Sequence, residues 1–277
     1  MLLLAVPTLV QAQFSYVTNG GAITITGYTG PGGAVPIPGT IDGLPVTGIG
    51  DYAFAFRTSL TEVTIPGSVT SIGAWAFRYC SSLTSVTIGN GVTSIGDEAF
   101  NSCTSLTSVT IGNGVASIGD GAFESCDSLT SVTIPNSVAS IGDYAFFFGT
   151  GLRAVYFQGD APTFGQDVFS GGNQATVYYL PGTTGWGSTF GGAPTALWTL
   201  RYPLILNNGS GFGVGTNGFG FLILWPTNIS VVVEATASLA NPVWAPVATN
   251  TLAGGVSDFI DPQWTNYPAR FYRVTAP

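Results

Sequence analysis

The sequence has no histidine and no lysine, and only 7% of its 277 residues are charged. Without histidine there is no Ser–His or Cys–His nucleophile pair, and without lysine there is no amine base. Positive charge is equally scarce: six arginines are dispersed through a chain of net charge -8. Phosphate binding needs clustered Lys and Arg, so nucleic acid is excluded as a partner. Paired carboxylates of the kind that hydrolyse glycosides are missing too. Asp258 and Asp261 are close in sequence, but Asp261-Pro262 reads as a turn, and Asp97 and Glu98 point in alternate directions. Gly213-Val-Gly215-Thr-Asn-Gly218 has the letters of a dinucleotide fingerprint without the strand, helix and later acidic residue that give it a mechanism. Beyond the first residues no run of about 18 apolar residues occurs, so no membrane-spanning segment is expected. The chain reads as non-enzymatic, with no cofactor and no metal.

What is abundant is glycine, at 39 residues, together with serine and threonine, a composition that suits a secreted β-rich protein. Residues 1–12 read as a signal peptide, an apolar stretch ending in Val10-Gln11-Ala12 before Gln13. The positively charged segment that precedes such a stretch is missing, which fits translation starting further upstream. The competing reading is a buried N-terminal strand.

A 23-residue unit then recurs. Val86 to Phe100 is spelled almost identically from Val109 to Phe123, and more loosely from Val132 to Phe146. A fixed period in the twenties means a solenoid of stacked coils. In register, Ile49, Ile72, Ile95, Ile118 and Ile141 form one column, Leu60, Leu83, Leu106, Leu129 and Leu152 a second, and Phe54, Phe77, Phe100, Phe123, Phe146 and Phe169 a third. Alternation along Leu83-Thr-Ser-Val86-Thr-Ile88 gives a strand with one buried face and Thr64, Thr87, Thr110 and Thr133 outward. Gly89-Asn90-Gly91 supplies a turn, and Gly96-Asp97 opens a short helical turn carrying Phe100 and Cys103. Asp51, Asp97, Asp120 and Asp143 read as N-caps of those turns, in preference to a calcium-binding ladder, which needs converging oxygens.

The strand Leu83-Thr-Ser-Val86-Thr-Ile88, followed by Ile-Gly-Asp-x-Ala-Phe-x-x-Cys, resembles the BspA-like leucine-rich repeat family of bacterial surface proteins, over roughly residues 41–180. The resemblance implies a mainly β fold with short helical turns. It begins with an N-terminal β cap over 13–40 and continues as a leucine-rich repeat solenoid over 41–180. It also implies an exported protein whose strand face binds extracellular protein or glycan.

Cys80, Cys103 and Cys126 share one phase of the repeat. A line of three thiols does not match zinc's tetrahedron. The spacing of stacked strands admits a disulfide between neighbours, while their position after the Phe column suits free, buried side chains. After Pro181 the regularity stops. Residues 181–206 read as a Gly-rich connector, and 207–277, with strand-like runs at Gly220–Trp225, Ser230–Ala235 and Arg270–Val274, as a small β-sandwich-like module. Its Trp225, Trp244, Trp264 and Tyr267 are numerous for so small a core, leaving a packing role and a carbohydrate platform both open.

Function is expected to reside where the outward strand face varies. The candidate ligand-contact face is Glu62, Thr64, Thr87, Thr110, Thr133, Arg153 and Tyr156, the first and last two breaking an otherwise uniform pattern. Tyr156 either anchors a partner or covers the C-terminal end of the stack against Phe164 or the connector. The leading expectation is a secreted or cell-surface, monomeric, non-catalytic recognition or adhesion module for protein or glycan. A structural spacer presenting the C-terminal module is the alternative, and ice or mineral binding through the Thr rank a minor one.

Overall fold

The computed structural model describes residues 13–172, 174–198, 204–206, 213–215, 218–224, 230–252 and 256–275; the expected signal peptide at 1–12 lies outside them. The chain divides into two compact units. One runs to Tyr178 and takes in Gly185–Ala196; the other comprises Tyr179–Thr184 and the chain from Leu197 onward.

The first unit is a solenoid of stacked coils. Each coil contributes one strand to each of two parallel ladders. The isoleucine ladder stacks Leu44–Ile49, Ser71–Ile72, Ser94–Ile95, Ser117–Ile118, Ser140–Ile141 and Thr163–Phe164, with Ile49, Ile72, Ile95, Ile118 and Ile141 in register. The threonine ladder runs in two sections. Gly33–Pro36, Leu60–Ile65, Ser85–Ile88 and Ser108–Thr110 form one sheet, and Ser131–Ile134, Ala154–Phe157 and Thr176–Tyr179 belong to the next. At the break Val109 is half-buried, whereas its equivalents Val86 and Val132 are buried.

Between the ladders, the rings of Phe54, Phe77, Phe100, Phe123, Phe146 and Phe169 stack at 4.8–5.5 Å down the axis. Tyr28 closes the column at one end, 5.3 Å from Phe54, and Phe190 at the other, 6.3 Å from Phe169. The segment around each Phe is a run of turns in which alternate amides have different destinations. Glu98, Phe100 and Ser102 donate to Asp120, Ala122 and Glu124 of the next coil, while Ala99, Asn101 and Cys103 donate three residues back. This alternation holds Glu98 and Ser102 at φ 51° and 59°, and Tyr52, Phe56, Trp75, Tyr79, Tyr144 and Phe148 in the same left-handed region. The short helical turns expected from the sequence are thus a zigzag shared between coils.

The aspartate column does a different job from the one its spacing suggested. Asp97 Oδ1 accepts from the Asp120 amide at 3.0 Å, Asp120 from Asp143 at 2.8 Å and Asp143 from Gln166 at 2.7 Å. The amides of the aspartate's own turn already have backbone acceptors, Ala122 donating to Gly119 and Phe123 to Ala145. The carboxylate therefore fastens one coil to the next instead of capping its own turn. The three cysteines are free and buried, each Sγ donating to the carbonyl of the preceding coil's Phe at 3.1–3.3 Å. Burial pushes the Cys80 thiol up to about 12 and raises Cys103 and Cys126 as well.

Phe14–Asn19 and Ala22–Tyr28 pair as an antiparallel hairpin whose second strand joins the isoleucine ladder. At the other end, Thr189–Phe190 and Ala193–Leu197, within the stretch read as a connector, pair antiparallel and extend the second threonine sheet. Phe190 is buried there against Phe157, Phe164 and Trp186 at 4.5–5.2 Å, shielding the end of the apolar stack.

Where described, the second unit is built of β-strands with one short 3-10 turn at Trp264–Asn266. Leu204–Leu206, Gly213–Gly215, Gly218–Leu224 and Val256–Asp261 form one antiparallel sheet; Ser230–Thr236, Ala245–Thr251 and Phe271–Thr275 form another. Phe221, Ile223 and Phe259 from the first and Val231 and Val233 from the second bury one core with Leu252. The dinucleotide-like letters lie on two paired strands, Gly215 opposite Gly218. Trp225 lies outside the described residues, and Trp244, Trp264 and Tyr267 are not among the buried core residues.

Candidate functional site

Pleating sends alternate side chains of each strand to opposite faces, so the threonine ladder fixes what it displays. Val63, Val86 and Val132 go inward, and Thr64, Thr87, Thr110 and Thr133 are all exposed. Thr64 faces Thr87, Thr87 faces Thr110, and Thr133 faces Tyr156 in register. The rank therefore ends in an aromatic, and Tyr156 is half-buried because its ring stacks on Tyr178 at 5.2 Å and 19°. Phe164, the other candidate neighbour, packs on Phe190 at 4.5 Å.

Glu62 and Arg153 do not share the Thr column. Glu62 is opposite Ser85 in the neighbouring column at the first coil. Arg153 is exposed, its Nη1 donating to the Thr150 and Leu152 carbonyls at 2.8 and 3.1 Å. Four rungs of about 4.8 Å separate the Glu62 end from the Tyr156 end, and the break between Ser108–Thr110 and Ser131–Ile134 falls between them. Tyr156 and Tyr178 thus form one cluster, with Glu62 apart from it and the Arg153 guanidinium turned to the carbonyls of its own loop.

A second exposed surface has no counterpart in the sequence reading. Tyr52 stacks on Trp75 at 4.8 Å and Phe56 on Tyr79 at 5.2 Å, giving two parallel aromatic columns on the turn edge of the first coils. Tyr52, Phe56 and Tyr79 are 40–63% exposed. The Arg78 guanidinium lies 4.9 Å from the Tyr79 ring and 3.3 Å from Glu98. Next to it, Asn101 Nδ2 donates to Glu124 Oε2 at 3.0 Å. Burial raises the Glu124 carboxyl above its usual range, the Glu98 charge adds to the rise, and Arg78 and Asn101 oppose it. The signal was present in the sequence as aromatics 23 residues apart, Tyr52 with Trp75 and Phe56 with Tyr79.

A sequence profile described as the BspA type leucine rich repeat region matches residues 47–176 in six copies. Among solved structures, a leucine-rich repeat protein of T. pallidum is 33% identical, with a TM-score of 0.53, over 61% of this chain and 83% of that one. A leucine rich cell surface protein of Faecalibacterium prausnitzii A2-165 is 32% identical, with a TM-score of 0.50, over 60% of this chain and 53% of that one. No curated protein matches the chain.

Proposed function

This chain belongs to the BspA type leucine-rich repeat family, and from that premise we propose that it is an exported, monomeric, non-catalytic recognition or adhesion module for an extracellular protein or glycan. Its contact face is the threonine ladder, with the anchor at the end where Arg153, Tyr156 and Tyr178 replace short hydroxyls. The observation that carries this reading is the outward Tyr156–Tyr178 stack at the end of the exposed Thr rank. Rigid aromatics and arginine supply most interface energy, whereas uniform threonines offer a partner no address. Export is supported by the 32% identical relative, a cell surface protein. The break in the ladder argues against a lattice-matching role for the Thr rank, since ice or mineral recognition needs one continuous flat array.

The exposed Tyr52, Phe56 and Tyr79 favour a second reading, in which the turn edge is the contact face. Protein and glycan arrays probed with the mature protein identify the ligand, and variants then assign the face. Tyr156→Ala weakens binding at least tenfold with unchanged melting if the ladder end is the site. Undiminished binding by Tyr156→Ala, with loss in the Tyr52→Ala/Phe56→Ala double variant, moves the site to the turn edge.

A further inference from the structure

The second unit contains a cavity of about 290 Å³ lined by Val214, Phe219, Trp264, Tyr267, Arg270 and Tyr272. Phe219 and Tyr272 form its inner wall and pack on the core of Phe221, Ile223, Val231, Val233, Leu252 and Phe259, whereas Trp264 and Tyr267 belong to neither that core nor the side chains packed on it. Trp264 is half-buried and Tyr267 exposed. Behind them the site is rigidly built. Arg270 Nη1 is 3.0 Å from Asp261 Oδ2, and the two side chains are only 10% and 6% exposed. Tyr272 OH donates to the same Asp261 oxygen at 2.8 Å, and the Gln263 amide donates to Oδ1 at 2.9 Å. The guanidinium lies 4.1 Å from the Tyr267 ring, and Phe219 stacks on Tyr272 at 5.3 Å.

We propose that this cavity binds one pyranose unit of a neutral glycan, stacked on Trp264 and Tyr267. The inference is independent of the solenoid face. A cationic ligand is disfavoured because the Arg270 guanidinium already holds one face of Tyr267 at 4.1 Å, while the rest of that ring, 41% exposed, stays open to a neutral one. An anionic one is disfavoured because Asp261 neutralises Arg270 in a chain of net charge -8. The volume is at the small end for ligand pockets, which suits a single six-membered ring. Trp and Tyr each offer an apolar ring face and a polar tip, and a pyranose offers an apolar C–H face with a rim of hydroxyls, so the two are complementary.

The test titrates the full chain with a panel of neutral methyl glycosides of glucose, galactose, mannose and N-acetylglucosamine, with choline and sialic acid as charged controls. At least one neutral glycoside should bind with millimolar affinity. Trp264→Ala and Tyr267→Ala should each weaken it about tenfold, with Val17→Ala, at an exposed position of the N-terminal hairpin, leaving it unchanged. If Trp264→Ala lowers the melting temperature, the wild-type indole N–H resonance of Trp264, assigned by its absence in Trp264→Phe, should shift on adding that glycoside. Binding of no neutral glycoside, tighter binding of choline or sialic acid, or an affinity and indole resonance indifferent to Trp264 and Tyr267 overturns the proposal.

Discussion

Cys80, Cys103 and Cys126 show how much one side chain does in a repeat. Each fills a buried slot beside the Phe column and spends its one donor on the preceding coil's Phe carbonyl. Thiol titration in denaturant without reductant should therefore count three, with no reaction in the folded protein; a count of one would mean two are bridged. Burial raises all three thiols, so the unfolded chain gives up these protons at lower pH than the folded one. Stability from this source is complete below about pH 9 and is lost as the pH rises toward 12, the range set by Cys80. Melting temperature followed across that window in wild type and in Cys103→Ser should show a steeper alkaline fall in the wild type. Glycine at Gly96 has an equally local reason. Its backbone needs no unusual φ, but a Cβ there would sit 2.6–2.7 Å from backbone atoms of Ile72, Gly73 and Ala74 in the coil below. Gly96→Ala should cost about 1–3 kcal/mol or more in denaturant unfolding, and a neutral result would mean the coils are looser than this.

At the scale of the coil, the parts with a simple period were legible in the sequence. The Leu, Ile and Phe columns all fall where their 23-residue spacing puts them, because a parallel ladder repeats the same residue at every rung. The turn around each Phe was not legible as what it is. A stretch such as Gly96-Asp97-Glu98-Ala99-Phe100 has the local letters of a capped helical turn, and the alternation of amides appears only when the next coil is present to accept half of them. The same blindness assigned Asp97 and Asp120 to their own turns. Asp120→Ala removes the acceptor of the Asp143 amide. It should lower stability by about 1 kcal/mol, with Asp120→Asn, which keeps an acceptor oxygen, costing less; equal losses in thermal unfolding would return the aspartate to a purely local or charge-based role.

For the whole molecule, a solenoid closed at both ends by aromatic-bearing hairpins offers a partner only surface, and the surface differs from coil to coil at few positions. The strand register placed Thr64, Thr87, Thr110, Thr133 and Tyr156 outward as their alternation required, yet it put Glu62 and Tyr156 four rungs apart on the two sections of the ladder. The stacking of Tyr156 on Tyr178 depended on the final coil, where the 23-residue spacing gives way, so no column in the sequence could reveal it. If the chain is exported, mass spectrometry of the native protein finds the mature N-terminus at or near Gln13, and an intact Met1 on a cytoplasmic product contradicts export. The contact face is tested most directly by hydrogen–deuterium exchange of the full chain with and without the partner that an array identifies. Protection confined to Ala154–Phe157 and Thr176–Tyr179 is the predicted result; protection on the turn edge around Tyr52 and Phe56, with none at the ladder end, would contradict it.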